Sequence, residues 1–205
     1  MRVRKIAMLI SAVALLVGGL SGTANAQPSD PQTEAVPATT DDVPAPPPPP
    51  VTKDGVQLQG SWIGPYTYRN LNSGRCLDIR GASKDSGAQA VQYRCIAGRT
   101  SQMWYLWHTE GDGSIDFHLI GNGNSGKCLE PIPTMTRGAP LLQYTCYLGL
   151  DNQVWHNTST YPNLQVNDAS NYCMEVQGAS LADLTKIVQW DCHHRAHQIW
   201  LRYNA

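Results

Sequence analysis

The chain has 205 residues, a formal net charge of −1 and 15% charged residues. This length predicts one domain, or at most two. The near-neutral balance gives no basis for binding nucleic acid or an anionic membrane, because both require a concentration of positive charge.

The first 26 residues have the three parts of a secretory signal peptide. A basic start is followed by an apolar run from Ile6 to Leu20, and Ala24-Asn25-Ala26 is a small-x-small cleavage site. We predict cleavage after Ala26, which leaves a secreted chain with 12 basic and 16 acidic residues. The alternative is an uncleaved membrane anchor, but the apolar run is shorter than the roughly 20 residues that a spanning helix needs.

Residues 27–60 are rich in proline and include an unbroken run from Pro46 to Pro50. Because this segment has almost nothing to bury, we predict a disordered linker that is locally extended as polyproline II. The favoured interpretation is a stalk that holds the next domain away from a surface or partner. A docking peptide for a proline-binding domain is the alternative.

Residues 61–205 contain a threefold internal repeat, and the predictions for this part of the chain follow from it. The triplet Gln-x-Trp ends at Trp104, Trp155 and Trp200, with gaps of 51 and 45 residues. A pair of cysteines precedes each triplet. Because six cysteines allow 15 connectivities, the repeat is needed to narrow them: equivalent units should close equivalent loops. The predicted disulfides are Cys76–Cys95, Cys128–Cys146 and Cys173–Cys192.

The repeat units are predicted to consist of short β-strands. Segments such as 90–95, 141–146 and 187–192 alternate between faces and are bounded by turn residues, while helical periodicity is scarce. Units of about 45 residues are too small to bury an apolar face alone, so they must share one core. We therefore predict an all-β, closed structure with threefold pseudosymmetry, in which Trp104, Trp155 and Trp200 are inward core anchors.

At these residues the sequence resembles the ricin-type lectin domain, a β-trefoil. The resemblance rests on three copies, in register, of Cys-[Leu/Met]-acid, a second cysteine and Gln-x-Trp, and it covers residues 62–205. It implies a β-trefoil with three pseudo-repeats, each closed by an internal disulfide. It also implies one shallow sugar pocket in each repeat, and hence a carbohydrate partner.

The resemblance places sugar contacts at four positions of each repeat. They are the acid two residues after the first cysteine, the aromatic residue two before the second, the residue directly before Gln-x-Trp, and its glutamine. The predicted carbohydrate-binding residues are Asp78, Tyr93 and Gln102 in repeat 1, Glu130, Tyr144, Asn152 and Gln153 in repeat 2, and Glu175, Trp190, His197 and Gln198 in repeat 3.

These residue types suit a neutral sugar. An ionised carboxylate accepts hydrogen bonds from hydroxyls, an aromatic ring offers a flat apolar platform, and an amide both donates and accepts. No repeat is complete, since repeat 1 has Ser101 in place of asparagine and repeats 2 and 3 have glutamate in place of aspartate. We rank repeat 1 first because it keeps Asp78, then repeat 3, then repeat 2. The glutamines are also interpreted as struts that bond to nearby backbone.

Other constellations are weaker. The run Asp191-Cys192-His193-His194 and His197 could suggest a metal site, but a surface loop is expected there and we predict no metal or cofactor. No catalytic motif is present, so we predict no enzyme activity. The alternative function is a protein-interaction trefoil with degenerate sugar pockets, whose partner would contact the linker or an exposed aromatic face. The unusual number of aromatic residues outside Gln-x-Trp favours this alternative: Trp62, Tyr66, Tyr68, Tyr105 and Trp107.

Overall fold

The computed structural model describes residues 43–56, 60–108 and 115–205. The predicted signal peptide and residues 27–42 and 57–59 of the predicted linker lie outside the described residues. Within those ranges, no helix is long and apolar enough to cross a membrane.

The described residues form twelve strands and five short 3-10 turns. The strands are β1 Ile63–Asn70, β2 Cys76–Ile79, β3 Ala90–Tyr93, β4 Trp104–His108, β5 Ile115–Asn122, β6 Cys128–Pro131, β7 Leu141–Tyr144, β8 Val154–Thr158, β9 Val166–Asn167, β10 Cys173–Val176, β11 Ile187–Trp190 and β12 Trp200–Asn204. The turns are Arg80–Ala82, Thr100–Gln102, Asp151–Gln153, Gln177–Ala179 and Ala196–Gln198. Each repeat therefore contributes four strands: β1–β4, β5–β8 and β9–β12.

The first and last strands of each repeat form a nearly closed barrel. Strand β1 pairs antiparallel with β12 and β4, β5 pairs with β4 and β8, and β9 pairs with β8. A bridge between Leu164 and Ile199 brings the chain before β9 against the start of β12. The inner hairpins β2–β3, β6–β7 and β10–β11 touch one another through bridges such as Pro140 to Val188. This arrangement confirms the predicted β-trefoil.

The three tryptophans of Gln-x-Trp lie at the centre of the core. Each is 0% exposed, and each indole Nε1 donates to the carbonyl of the residue that follows the first cysteine of its own repeat. The acceptors are Leu77, Leu129 and Met174, at 3.1, 2.9 and 3.1 Å. A buried indole N–H needs such a partner, so each bond fixes one tryptophan against the inner hairpin of its repeat. The three disulfides join the predicted pairs.

Buried amides connect one repeat to the next. The asparagine that ends the first strand of each repeat donates to the carbonyl of the residue before Gln-x-Trp in a neighbouring repeat. These bonds run from Asn70 to His197 (3.1 Å), Asn122 to Ser101 (2.9 Å) and Asn167 to Asn152 (2.8 Å). Glutamines in the inner hairpins donate to loop carbonyls of a neighbouring repeat in the same way: Gln92 to Ala182 (2.8 Å), Gln143 to Asp85 (2.9 Å) and Gln189 to Thr136 (3.0 Å).

The last part of the proline-rich segment packs on the trefoil, which differs from the sequence expectation that residues 27–60 bury almost nothing. Pro47 and Pro50 are buried and Pro44 is half-buried, while most of the residues between them are exposed. Burial of one residue in three matches the three residues per turn of polyproline II. We call residues 43–51 the proline strap.

Aromatic side chains of the trefoil hold the proline strap in place. The Trp62 indole donates to the Pro48 carbonyl at 3.1 Å, and the Tyr105 hydroxyl donates to the Pro44 carbonyl. At the end of the strap, Val51 forms a parallel bridge with Tyr147 in repeat 2. Prolines supply no N–H groups but keep their carbonyl acceptors, so side-chain donors can attach the strap without strand pairing.

Candidate functional site

The predicted acid and aromatic residue of each repeat lie on the same face of an inner hairpin. Asp78 pairs in register with Val91, and Tyr93 follows two residues along the partner strand. Because side chains alternate in a strand, Asp78 and Tyr93 are diagonal neighbours roughly 7–8 Å apart at the backbone. The same register relates Glu130 to Tyr144 and Glu175 to Trp190.

Each acid is buried and is held by the glutamine of Gln-x-Trp. Exposure is 1% for Asp78, 7% for Glu130 and 4% for Glu175. The glutamine Nε2 donates to the carboxylate of its own repeat and also to a backbone carbonyl, while Oε1 accepts from the residue after the second cysteine. In repeat 1 these bonds join Gln102 to Asp78 (3.0 Å), to the Arg94 carbonyl (2.9 Å) and to the Ile96 N–H (2.9 Å). The same arrangement in Gln153 and Gln198 makes the triplet a clamp that positions the acid.

In repeat 1, one carboxylate oxygen of Asp78 takes part in an ion pair and the other has no hydrogen-bond partner among the described residues. Asp78 Oδ2 accepts from Gln102 and lies 3.0 Å from Arg99 Nε. Asp78 Oδ1 is buried and has no hydrogen-bond partner among the described residues. The Arg99 guanidinium lies 5.2 Å from the centre of the Tyr93 ring, so Arg99 spans the space between acid and aromatic ring. This carboxylate oxygen therefore keeps an acceptor site that no described residue uses.

Repeat 2 has no cation beside its acid. Among the described residues, Glu130 has no ion-pair partner, and its carboxylate accepts from Gln153 Nε2. Burial raises the pKa of Glu130 above its ordinary value, and the Gln153 hydrogen bond opposes that rise only in part. Tyr144 and Asn152 are half-buried beside this site. Glu130 therefore differs from Asp78 in having no cation beside it among the described residues.

Repeat 3 surrounds its acid with histidines. Glu175 Oε2 lies 3.1 Å from His193 Nε2 and 3.7 Å from His197 Nε2, in addition to the bond from Gln198. Trp190 is half-buried, and the Arg137 guanidinium lies 4.3 Å from its ring centre. His197, predicted as a sugar contact in place of asparagine, thus faces the acid together with His193.

A cavity of about 450 Å³ lies beside repeat 1. It is lined by β1, the loop Ile96–Arg99 and the last three residues of the chain, and Gln102 is the predicted site residue that reaches it. In repeat 2, the Trp62 side chain packs against Trp107, Leu119 and the Cys128–Cys146 disulfide. Val43, the first residue of the proline strap, also lines the cavity.

Sequence reasoning did not include Arg99 and His193 among the site residues. Arg99 precedes the Thr100–Gln102 turn, and His193 directly follows Cys192. Position relative to the second cysteine could have identified His193, since repeats 1 and 2 have Ile96 and Tyr147 there. Arg99 has no such signal, because only the fold of the loop shows that it returns to Asp78.

The five aromatic residues that suggested a protein-binding face do not form an exposed surface. Tyr68, Tyr105 and Trp107 are buried, and Trp62 and Tyr66 are half-buried. Their aromatic surface is used in the barrel and beneath the proline strap. The observation that suggested a protein-binding aromatic face is therefore corrected by the structure, because these rings already have intramolecular partners.

The fold and the three acid–aromatic–amide sites define a β-trefoil of the lectin type. A model of the ricin-type beta-trefoil lectin domain matches residues 65–201, which is more than half of the chain. The chain belongs to this family. The comparison with curated proteins gives no match.

Solved structures give the same fold. The designed threefold-symmetric protein ThreeFoil is 29% identical, with a TM-score of 0.62, 70% of this chain covered and 100% of that chain. The exo-beta-1,3-galactanase 1,3Gal43A from Clostridium thermocellum is 29% identical, with a TM-score of 0.63, and the match covers 74% of this chain but 32% of the galactanase. The C-half of an earthworm R-type lectin, in complex with GalNAc, is 14% identical, with a TM-score of 0.54, covering 69% of this chain and 99% of that one.

Proposed function

We propose that this chain is a secreted, non-catalytic carbohydrate-binding module that takes sugar at the repeat sites, with repeat 1 as the principal pocket. Membership of the ricin-type lectin family supports a carbohydrate-binding module. Secretion is supported by the signal-peptide pattern that ends at Ala26 and by three disulfides, which form in oxidising compartments.

The observation that carries the choice of pocket is the state of Asp78. Gln102 and Arg99 hold one oxygen of this carboxylate, and the other is a buried acceptor without a partner among the described residues. A sugar hydroxyl would satisfy that oxygen, and charge-assisted hydrogen bonds are stronger than neutral ones. Tyr93 supplies the ring on which a sugar face would stack.

A module of this kind gains from its repeats. A single shallow pocket binds weakly, but sites on one rigid domain can engage a polymer together and raise the avidity. A proline-rich segment before the domain suits a spacer, with the proline strap as its anchored end.

The test is a glycan and polysaccharide array with the secreted chain, residues 27–205, followed by titration of the best ligand. Asp78→Asn keeps the size of the side chain but removes its charge, so binding at repeat 1 should weaken by about 10- to 100-fold, as expected for a lost hydrogen bond to a charged group. Asp54→Asn is the matched control, because Asp54 is exposed in a turn before β1. The proposal is overturned if no glycan binds at millimolar concentration, or if both variants weaken binding equally.

A further inference from the structure

Three side chains of types that bind metal ions lie close together in repeat 3. Glu175 lies in β10, His193 directly follows Cys192, and His197 lies in the turn Ala196–Gln198. Their ligand atoms all lie within 4.8 Å of one another. The Glu175 Oε2 atom is 3.1 Å from His193 Nε2 and 3.7 Å from His197 Nε2.

These separations are close to those around a tetrahedral ion. Zinc binds histidine nitrogen and carboxylate oxygen at about 2.0–2.1 Å, which places neighbouring ligand atoms about 3.3 Å apart. We propose that repeat 3 binds one divalent transition-metal ion, with Zn²⁺ as the representative, between His193, His197 and Glu175. Three protein ligands leave a fourth coordination position for water or another oxygen ligand.

A hydrogen bond from Gln198 holds the Glu175 carboxylate in a position to bind a metal ion. Gln198 Nε2 donates to Glu175 Oε2 at 2.7 Å, and Gln198 Oε1 accepts from the His193 N–H at 2.9 Å. One amide therefore orients the acid and the loop that carries the first histidine, which is the work of an outer-shell residue at a metal site. The histidine side chains are 28% and 13% exposed, so an ion can reach them from solvent.

One hydrogen bond of His193 must break when a metal ion binds. A metal on His193 Nε2 requires the ring proton on Nδ1, so this nitrogen can no longer accept from the Arg195 N–H, which lies 3.3 Å away. The positive charge of Arg195 opposes the ion as well. We therefore expect moderate affinity.

The cluster is peculiar to repeat 3. At the positions of His193 and His197, repeat 1 has Ile96 and Ser101, and repeat 2 has Tyr147 and Asn152, none of which is a zinc ligand. The other candidates in the sequence have different partners. The His194 ring packs on Tyr161 with centres 4.1 Å apart, and Asp191 pairs with Arg137 at 3.2 Å.

The experiment is a calorimetric titration of the untagged chain, residues 27–205, with zinc chloride after chelator treatment. One site per chain is expected, and Co²⁺ should give the visible absorption of tetrahedral coordination. His193→Tyr and His197→Asn introduce the residues that repeat 2 has at these positions, so the fold should tolerate them. Each is expected to weaken zinc binding by at least about tenfold. His194→Ala is the matched control and should leave the affinity unchanged.

Three results would overturn the inference: no zinc binding by the unmodified chain, unchanged affinity in both His193→Tyr and His197→Asn, or a loss of affinity in His194→Ala as large as theirs. The metal site shares Glu175 and His197 with the predicted sugar pocket of repeat 3, but it uses no residue of the principal pocket in repeat 1. If zinc binds but no glycan does, the metal site is supported and the lectin proposal is overturned. If a glycan binds but zinc does not, the lectin proposal is supported and the metal site is overturned.

Discussion

Replacing Gln102 by alanine should destabilise the domain through loss of the clamp in repeat 1. The side chain is 1% exposed and makes three hydrogen bonds, one of them to the Asp78 carboxylate. A hydrogen bond to a charged group contributes about 1.5–3 kcal/mol and a neutral one about 0.5–1.5 kcal/mol. Arg94 and Ile96 are exposed, so water can replace the two backbone bonds in part. The expected loss in free energy of unfolding is about 3 kcal/mol.

This loss is measured by urea unfolding with the disulfides intact, and by thermal unfolding. For a domain of this size, about 1 kcal/mol lowers the melting temperature by about 2–4 °C, so a fall of about 6–12 °C is expected. The matched control is Gln177→Ala, since Gln177 is exposed in the turn Gln177–Ala179. If Gln102→Ala loses less than about 1 kcal/mol, or no more than the control, the side chain is not a strut and the clamp reasoning fails.

Two further predictions concern repeat 2 and the proline strap. Burial raises the pKa of Glu130, so the folded protein binds this proton more tightly than the unfolded chain does. The contribution of Glu130 to the free energy of unfolding therefore falls as the pH rises from the pKa in the unfolded chain to the pKa in the folded protein. Glu130→Gln should therefore gain stability relative to the unmodified protein between pH 4 and pH 7 in urea titrations, and a constant difference across that range would contradict the shift. A Cβ on Gly121 would lie 2.8 Å from the Trp62 ring and 3.0 Å from Pro47. Gly121→Ala should therefore lower the free energy of unfolding by about 1–3 kcal/mol and shift the Trp62 fluorescence. Unchanged stability and emission would show that the strap does not pack there.

The repeat itself could be predicted from the sequence. The repeat period, the cysteine spacing and the Gln-x-Trp triplet can all be read directly from the sequence. Because each occurs three times, the three repeats must place these residues in equivalent environments. That requirement implies a shared core, equivalent disulfides and inward tryptophans without knowledge of any long-range contact. The acid and aromatic of each site follow from the same register, because both belong to one hairpin.

Bonds between distant parts of the chain could not be predicted in this way. Asn70 bonds to the His197 carbonyl across 127 residues, and no local pattern distinguishes this asparagine from one that only makes a turn. The strap was missed because a proline-rich segment has nothing to pack against until the fold presents a surface with suitable donors, as Trp62 supplies.

The differences between the three repeat sites also depend on contacts between distant parts of the chain. Residue order and residue type were enough to predict three repeats with an acid in each, and the ranking of the three sites stays a prediction. Only the folded loops show that Arg99 reaches Asp78, that Glu130 lacks an ion-pair partner among the described residues, and that His193 and His197 converge on Glu175. A side chain's electrostatic partner depends on the path of the loop that carries it, and that path is set by packing over the whole trefoil.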